Sequence, residues 1–202
     1  MTYNARDGGY RAAGIVLAAG QSARFGAAKQ LPAWGETTLV GHVVDTALGA
    51  GLDPVIVVTG HEAERVAVAL QGQPVRIVFN PDFAGGQGSS VRRGVEALPA
   101  SSRAAVFLLA DQPGVTPEVV KALIQAHRET LSSIVLPAHQ GKRGNPVLFD
   151  ASLFSELMNL GGDTGGRALF EKHEASIFHV AVDEPGILLD IDTPDDYRRA
   201  PG

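Results

Sequence analysis

The chain has 202 residues, 45% of them hydrophobic and 19% charged, which is enough for one well-buried core and too few for two independent domains. Its formal net charge of -5 argues against a nucleic-acid binder, whose phosphate contacts need a basic face. The absence of cysteine excludes a disulfide scaffold, a thiolate metal site and a cysteine nucleophile, and suits a reducing cytoplasm.

Residues 1–13 (MTYNARDGGYRAA) are polar, mix charges of both signs and lack an apolar h-region, so they read as a flexible N-terminal arm before a single domain over 14–202. No later stretch approaches the ~18 apolar residues of a membrane span. A strand is predicted over Gly14–Ala19, a helix over Thr38–Gly49 with Leu39, Val40, Val43, Val44, Ala47 and Leu48 as its apolar stripe, and strands over Pro54–Thr59 and Val75–Asn80. A glycine-rich run at 85–88 opens a helix over Val91–Leu98, and a strand follows at Ala104–Ala110. Thr116 before Pro117 marks the start of a helix to Leu131. Ser133–Ala138 and Asn145–Phe149, joined through residues 139–144, predict a hairpin or lid added to the main sheet. Gly161–Arg167 is too rich in glycine for a helix interior and reads as a loop; strands over Ile177–Val182 and Leu188–Ile191 lead to a last helix from Pro194. Strands and helices that alternate in this way predict a three-layer α/β fold with a mostly parallel sheet. Ligands then bind at the carboxyl ends of the strands, which places the loop after Ala19, the loop after Asn80, and Asp111 on one rim.

Several of these positions carry chemistry. The apolar strand ending at Ala19 runs into a glycine-rich loop with two cations, Arg24 and Lys29, suited to closing backbone N–H groups and positive charge around phosphate oxygens. The spacing matches neither the Walker A loop nor the dinucleotide fingerprint. Asp111, directly after an apolar strand, reads either as a Mg²⁺ ligand or as a cap on the turn before Pro113. In Asp190-Ile191-Asp192-Thr193-Pro194, Thr193 or Asp192 caps the last helix, and Asp192 can at the same time hold a metal. The glycines before Ser89 and Ser90 make a helix N-terminus fit for an anion or a base, or a plain serine cap. The six histidines show no metal-ligand spacing, and no Ser/His/Asp order stands out.

Taken together, Leu-Ala-Ala-Gly-x-Ser-x-Arg-Phe-Gly-x-x-Lys at 17–29, Gly-x-Gly-Ser-Ser at 86–90, Asp-Gln-Pro at 111–113, Arg-Gly-x-Pro-Val at 143–147, Gly-Asp-x-Gly at 162–165 and Asp-Ile-Asp-Thr-Pro at 190–194 resemble the molybdenum cofactor nucleotidyltransferases over residues 14–197. The resemblance implies a Rossmann-like α/β/α nucleotidyltransferase fold and transfer of a nucleotidyl group from an NTP to the phosphate of molybdopterin, with release of pyrophosphate. Ala18-Ala19-Gly20 is similar to the cytidylyl branch, which favours CTP over GTP. The implied roles are Arg24 and Lys29 on the triphosphate, Ala18, Ala19, Gly20, Gly88 and Ser89 at the base and ribose with Asn80 nearby, and Asp111 and Asp192 on Mg²⁺ or Mn²⁺. Asn145, Asp163 and Arg167 fall to the acceptor side, Asn145 standing where cytidylyl members often carry His. A molybdoenzyme or its chaperone is the implied protein partner. The acceptor's phosphate, with a second pKa near ~6, is mostly ionised at pH 7 and needs no protein base. The rival readings are a nucleotidyltransferase for a sugar or polyol phosphate, a glycosyltransferase using Asp190-x-Asp192, and a non-catalytic nucleotide-binding regulator.

Overall fold

A computed structural model describes residues 10–21 and 29–200. In chain order the first half contains β1 (Ala12–Ala18), a two-residue hairpin of β2 (Ala33–Trp34) and β3 (Thr37–Thr38), α1 (Leu39–Gly49), β4 (Val55–Thr59), α2 (Ala63–Ala69), β5 (Arg76–Phe79) and α3 (Gln87–Glu96). The second half adds β6 (Ala104–Leu109), α4 (Pro117–Thr130), β7 (Ile134–His139), β8 (Lys142–Arg143), β9 (Val147–Asp150), α5 (Phe154–Met158), β10 (Ile177–Ala181) and α6 (Pro194–Arg199). The main sheet runs β10-β7-β9-β6-β1-β4-β5, with β8 paired to β7. β1 sits at its centre, parallel to β4 and β6, with Ile15 opposite Ile56 on one side and Phe107 on the other. Its unbroken apolar run is what a strand covered on both faces requires.

The helices supply that cover. Val16, Val57 and Leu108 pack with Val40, Val43 and Val44 of α1 and with Val120 and Leu123 of α4. On the opposite face Ile15, Val58 and Phe107 pack with Val91 of α3 and Leu157 of α5. α3 lies so close to β1 that a Cβ at Gly94 would come within 2.6 Å of the Ile15 side chain. Two helix starts follow the capping chemistry read from the sequence, the Thr116 hydroxyl accepting from the Val119 N–H and Thr193 forming a reciprocal box with Asp196, while Thr38, expected as the first helical residue, is the cap of α1 and accepts from the Gly41 N–H. Among the described residues no helix is long and apolar enough to cross a membrane.

Four expectations change. Ala12 and Ala13, expected in the arm, belong to β1, and Tyr10 and Arg11 are tied down through His127 and Asp53; residues 1–9 lie outside the described residues. The expected addition at 133–149 is woven into the sheet. β9 runs antiparallel between β6 and β7, while the tight hairpin joins β7 to β8 through Gln140 and Gly141, both at the positive φ such a turn demands. Leu188–Ile191 is no strand: Pro185–Leu188 form a 3-10 turn, and the apolar residues that follow pack into a small separate core. α2 and α5, not foreseen, are short helices without a side-chain cap.

Candidate active site

Three segments converge at the carboxyl ends of β1 and β6. Asp111 follows β6 through a turn in which the Gln112 N–H donates to the Leu109 carbonyl at 3.1 Å. The run Asp190–Asp192 is laid against it: the Ile191 N–H donates to the Asp111 carbonyl at 2.9 Å, and Gln112 Nε2 donates to Asp190 Oδ1 at 2.5 Å. Ile191 is fully buried against Trp34 and Leu39, which lie just beyond Lys29 in the chain. Lys29 Nζ accordingly reaches both acids, donating to Asp111 Oδ2 and, at 2.9 Å, to Asp192 Oδ1. Gln30, only 2% exposed, donates through Nε2 to the carbonyls of Ala18 and Gly20, both at 3.1 Å, and so ties the exit of β1 to the Lys29 segment.

Burial and charge act in opposition at this junction. Burial opposes the charge on Lys29, but Asp111 and Asp192 outweigh it and hold the ammonium above the ordinary lysine pKa. Asp190 is pushed the opposite way from a salt-bridged acid: partial burial, and then the charges of Asp111 and Asp192, raise its pKa against the lowering hydrogen bond from Gln112. Three carboxylates thus surround the one ammonium that the described residues bring to this point. Among those residues, no three His, Asp or Glu side chains form a complete metal cage.

Two clefts meet here. The first, of 350 Å³, is lined by Ala19, Gly20, Lys29, Phe83, Ser90 and Asp111 among others. The second, of 590 Å³, is lined by Asn145, Phe149, Arg167, Phe170, Asp190 and Asp192 among others. Leu17, Gln87, Leu109 and Asp163 border both, so the clefts are contiguous, with the Asp111 carboxylate on one side and those of Asp190 and Asp192 on the other.

The structure brings together most of the residues singled out in the sequence, but not all as ligand contacts. Ala19, Gly20, Lys29 and Asp111 line the first cleft, and Asn145, Arg167 and Asp192 the second, with Asp163 between them. Ala18 is buried and faces Gln30 through its carbonyl. Asn80 and Ser89 are buried as well and serve each other: Asn80 Nδ2 donates to the Ser89 and Ser90 hydroxyls, Asn80 Oδ1 accepts from the Asp82 N–H, and the Ser89 hydroxyl donates to the carbonyls of Asp82 and Gly86. These two side chains shape the start of α3 and do not line either cleft. The expected open amide at Gly88 is also occupied, donating to the Gly162 carbonyl at 2.9 Å, and a Cβ at Gly86 would lie 2.5 Å from that same oxygen. Arg24 lies outside the described residues. Sequence reasoning gave no role to Gln30 or Gln112 and weighed Asp190 only in the glycosyltransferase reading; the available signal for the glutamines was adjacency, since each directly follows a charged site residue.

An α/β sheet whose strand ends carry a lysine–carboxylate junction between two adjoining clefts is the build of an enzyme that transfers a phosphate-linked group. The comparisons make the class specific: the chain belongs to the MobA-like NTP transferase domain family, whose model matches residues 14–177. It is 30% identical to the nicotine blue oxidoreductase of Paenarthrobacter nicotinovorans, with 92% of this chain and 94% of that one covered. It is 29% identical to the molybdenum cofactor cytidylyltransferase of Escherichia coli, with 92% and 93% covered. Among solved structures, Rv0371C of Mycobacterium tuberculosis H37Rv in complex with manganese superposes with a TM-score of 0.80 at 31% identity, over 94% of this chain and 97% of that one. The chain is therefore a nucleotidyltransferase.

Proposed function

We propose that the enzyme transfers CMP from CTP to the phosphate of molybdopterin, releasing pyrophosphate, with Mg²⁺ or Mn²⁺ held by Asp111 and Asp192. The observation that carries this reading is the meeting of Lys29 with both acids at the border of the two clefts. The donor set fits a hard divalent cation: the carboxylates of Asp111 and Asp192 converge on one point at the cleft border, with that of Asp190 nearby. The manganese complex of the mycobacterial relative supports the same fit. When bound, such an ion neutralises charge on the phosphoryl group in transfer and on the departing pyrophosphate.

The first cleft takes the nucleotide. Ala19 and Gly20 present backbone with almost no side chain, so a triphosphate can approach closely, and Lys29, charged well beyond neutral pH, offers a fixed cation to it. The second cleft, lined by Phe149, Phe170 and Arg167 among others, suits a flat ring system bearing a phosphate. Ala18-Ala19-Gly20 and the cytidylyltransferase relative together support CTP. The test is pyrophosphate release from CTP and GTP with molybdopterin, a sugar 1-phosphate or a polyol phosphate as acceptor, in Mg²⁺ and in Mn²⁺. CTP with molybdopterin should turn over fastest. Preference for GTP or for a sugar phosphate would replace the substrate assignment, and nucleotide binding without pyrophosphate under any acceptor would overturn transfer itself.

A further inference from the structure

Gln112 is 2% exposed, an unusual place for an uncharged amide unless its hydrogen bonds matter. Its Nε2 spends a donor on Asp190 Oδ1, while its Oε1 is buried with no partner among the described residues. The bond to Asp190 is the one side-chain hydrogen bond that Gln112 makes among the described residues. That bond lies beside the Ile191 N–H to Asp111 carbonyl contact, so backbone and side chain stitch residues 111–112 to residues 190–191 at two adjacent points. Asp111 belongs to this seam, Asp192 directly follows it, and both carboxylates bond Lys29.

We infer that Gln112 is a positioning residue for the divalent-cation site: by holding Asp190 it orients the run that carries Asp192 and sets the gap between Asp111 and Asp192. The inference rests on the metal assignment made above. It follows a general pattern in which partners outside the direct ligands fix ligand orientation, and their loss costs roughly 10–100-fold in metal affinity. Charge and orientation can be separated here because asparagine at 190 removes the negative charge but keeps an oxygen for the Gln112 donor, whereas alanine removes both.

The experiment measures Mn²⁺ affinity of the full chain by electron paramagnetic resonance in the absence of nucleotide, alongside thermal midpoints. Gln112→Ala should weaken Mn²⁺ binding roughly 10–100-fold. Asp190→Ala should weaken it more than Asp190→Asn, and adding Gln112→Ala to Asp190→Ala should cost nothing further. Should Gln112→Ala fold poorly, the two Asp190 variants, altered on the cleft rim, decide the matter by themselves. Equal affinities for Asp190→Asn and Asp190→Ala, or losses that multiply in the double variant, would overturn the positioning role. Asp111→Asn separates this from the underlying assignment: retained Mn²⁺ binding there overturns the metal site and this inference with it, whereas lost binding there with wild-type binding in Gln112→Ala overturns only the inference.

Discussion

Two polar clusters sit at opposite ends of the central strands, and they are built on opposite principles. At the amino ends of β1 and β6, the Tyr10 hydroxyl donates to His127 Nδ1 at 2.7 Å and His127 Nε2 donates to Asp150 Oδ2 at 3.1 Å. Asp150 Oδ1 accepts in turn from the Ser152 N–H at 2.9 Å. A carboxylate only accepts, so Nε2 carries a proton, and in the neutral imidazole Nδ1 is then the acceptor for the Tyr10 hydroxyl. At the carboxyl ends, carboxylates crowd an ammonium and Gln112 Oε1 finds no partner among the described residues. The first cluster is a closed relay that holds the fold together; the second gathers charged groups at the border of two clefts, where a charged ligand can reach them.

Substitutions at the two ends should therefore separate activity from stability. Lys29→Ala should have the largest effect on turnover, a fall on the order of 10²-fold or more, because loss of one transition-state charge contact commonly costs ~3 kcal/mol. Pyrophosphate release measures it, and near-normal turnover would remove Lys29 from the mechanism. Asp111→Asn should raise the divalent-cation concentration for half-maximal rate by at least roughly tenfold, since a direct ligand matters no less than its supporting partners. An unchanged metal titration would break the assignment. His127→Ala inverts the pattern: it strands the Tyr10 hydroxyl and leaves a hole beneath α4, a loss of ~3 kcal/mol, or roughly 6–12 °C in thermal midpoint for a chain of this size. Turnover of the folded variant should stay at the wild-type level, and a matching loss of activity would dissolve the distinction between the two ends.

The same contrast explains what could be read from the sequence. β1, β6, α1 and α4 were legible because a strand buried on both faces is an unbroken apolar run and because Thr38, Thr116 and Pro117 mark helix starts locally. Asp111 was legible by its place at the tip of such a strand. Leu188–Ile191 was misread because apolar residues packing on Trp34 and Leu39 look the same in sequence as apolar residues in a sheet. α2 buries only Val66, too little for a periodic signal. Gln112 and Asp190, 78 positions apart, declare no partnership until the fold brings them together. Asn80 and Ser89 were singled out for a ligand with a serine cap as the alternative, and their side chains hydrogen-bond one another and the segment leading into α3, a pairing that their sequence positions do not announce.

The smallest expected effects are in pH dependence and test whether the closed cluster is really closed. Asp150 is pushed toward a higher pKa by burial, but its hydrogen bonds from Ser152 and His127 win, and its folded value lies below the ordinary 3.8. Its contribution is thus present above that value and fades as pH falls through the lower folded one, so Asp150→Asn should flatten the acid limb of stability against pH. Tyr10 gives the alkaline counterpart. Burial, and then the charge of Asp150, push its hydroxyl from 10.0 up to about 12 despite the opposing Arg128 guanidinium, 5.4 Å from the ring centre. Between those two values the folded protein keeps a proton that the unfolded chain has lost, so stability from this group is whole below 10.0 and drains away toward about 12. Tyr10→Phe lacks both that proton and the bond to His127, and at neutral pH should cost ~1 kcal/mol. The gap in urea midpoints between wild type and Tyr10→Phe should then narrow steadily over the alkaline range. Lys29, whose raised pKa also acts there, is common to both proteins and cancels in the difference. A gap that stays constant from neutral pH upward would mean the Tyr10–His127–Asp150 chain does not govern that proton, and the contrast between the two ends of the sheet would lose its stabilising half.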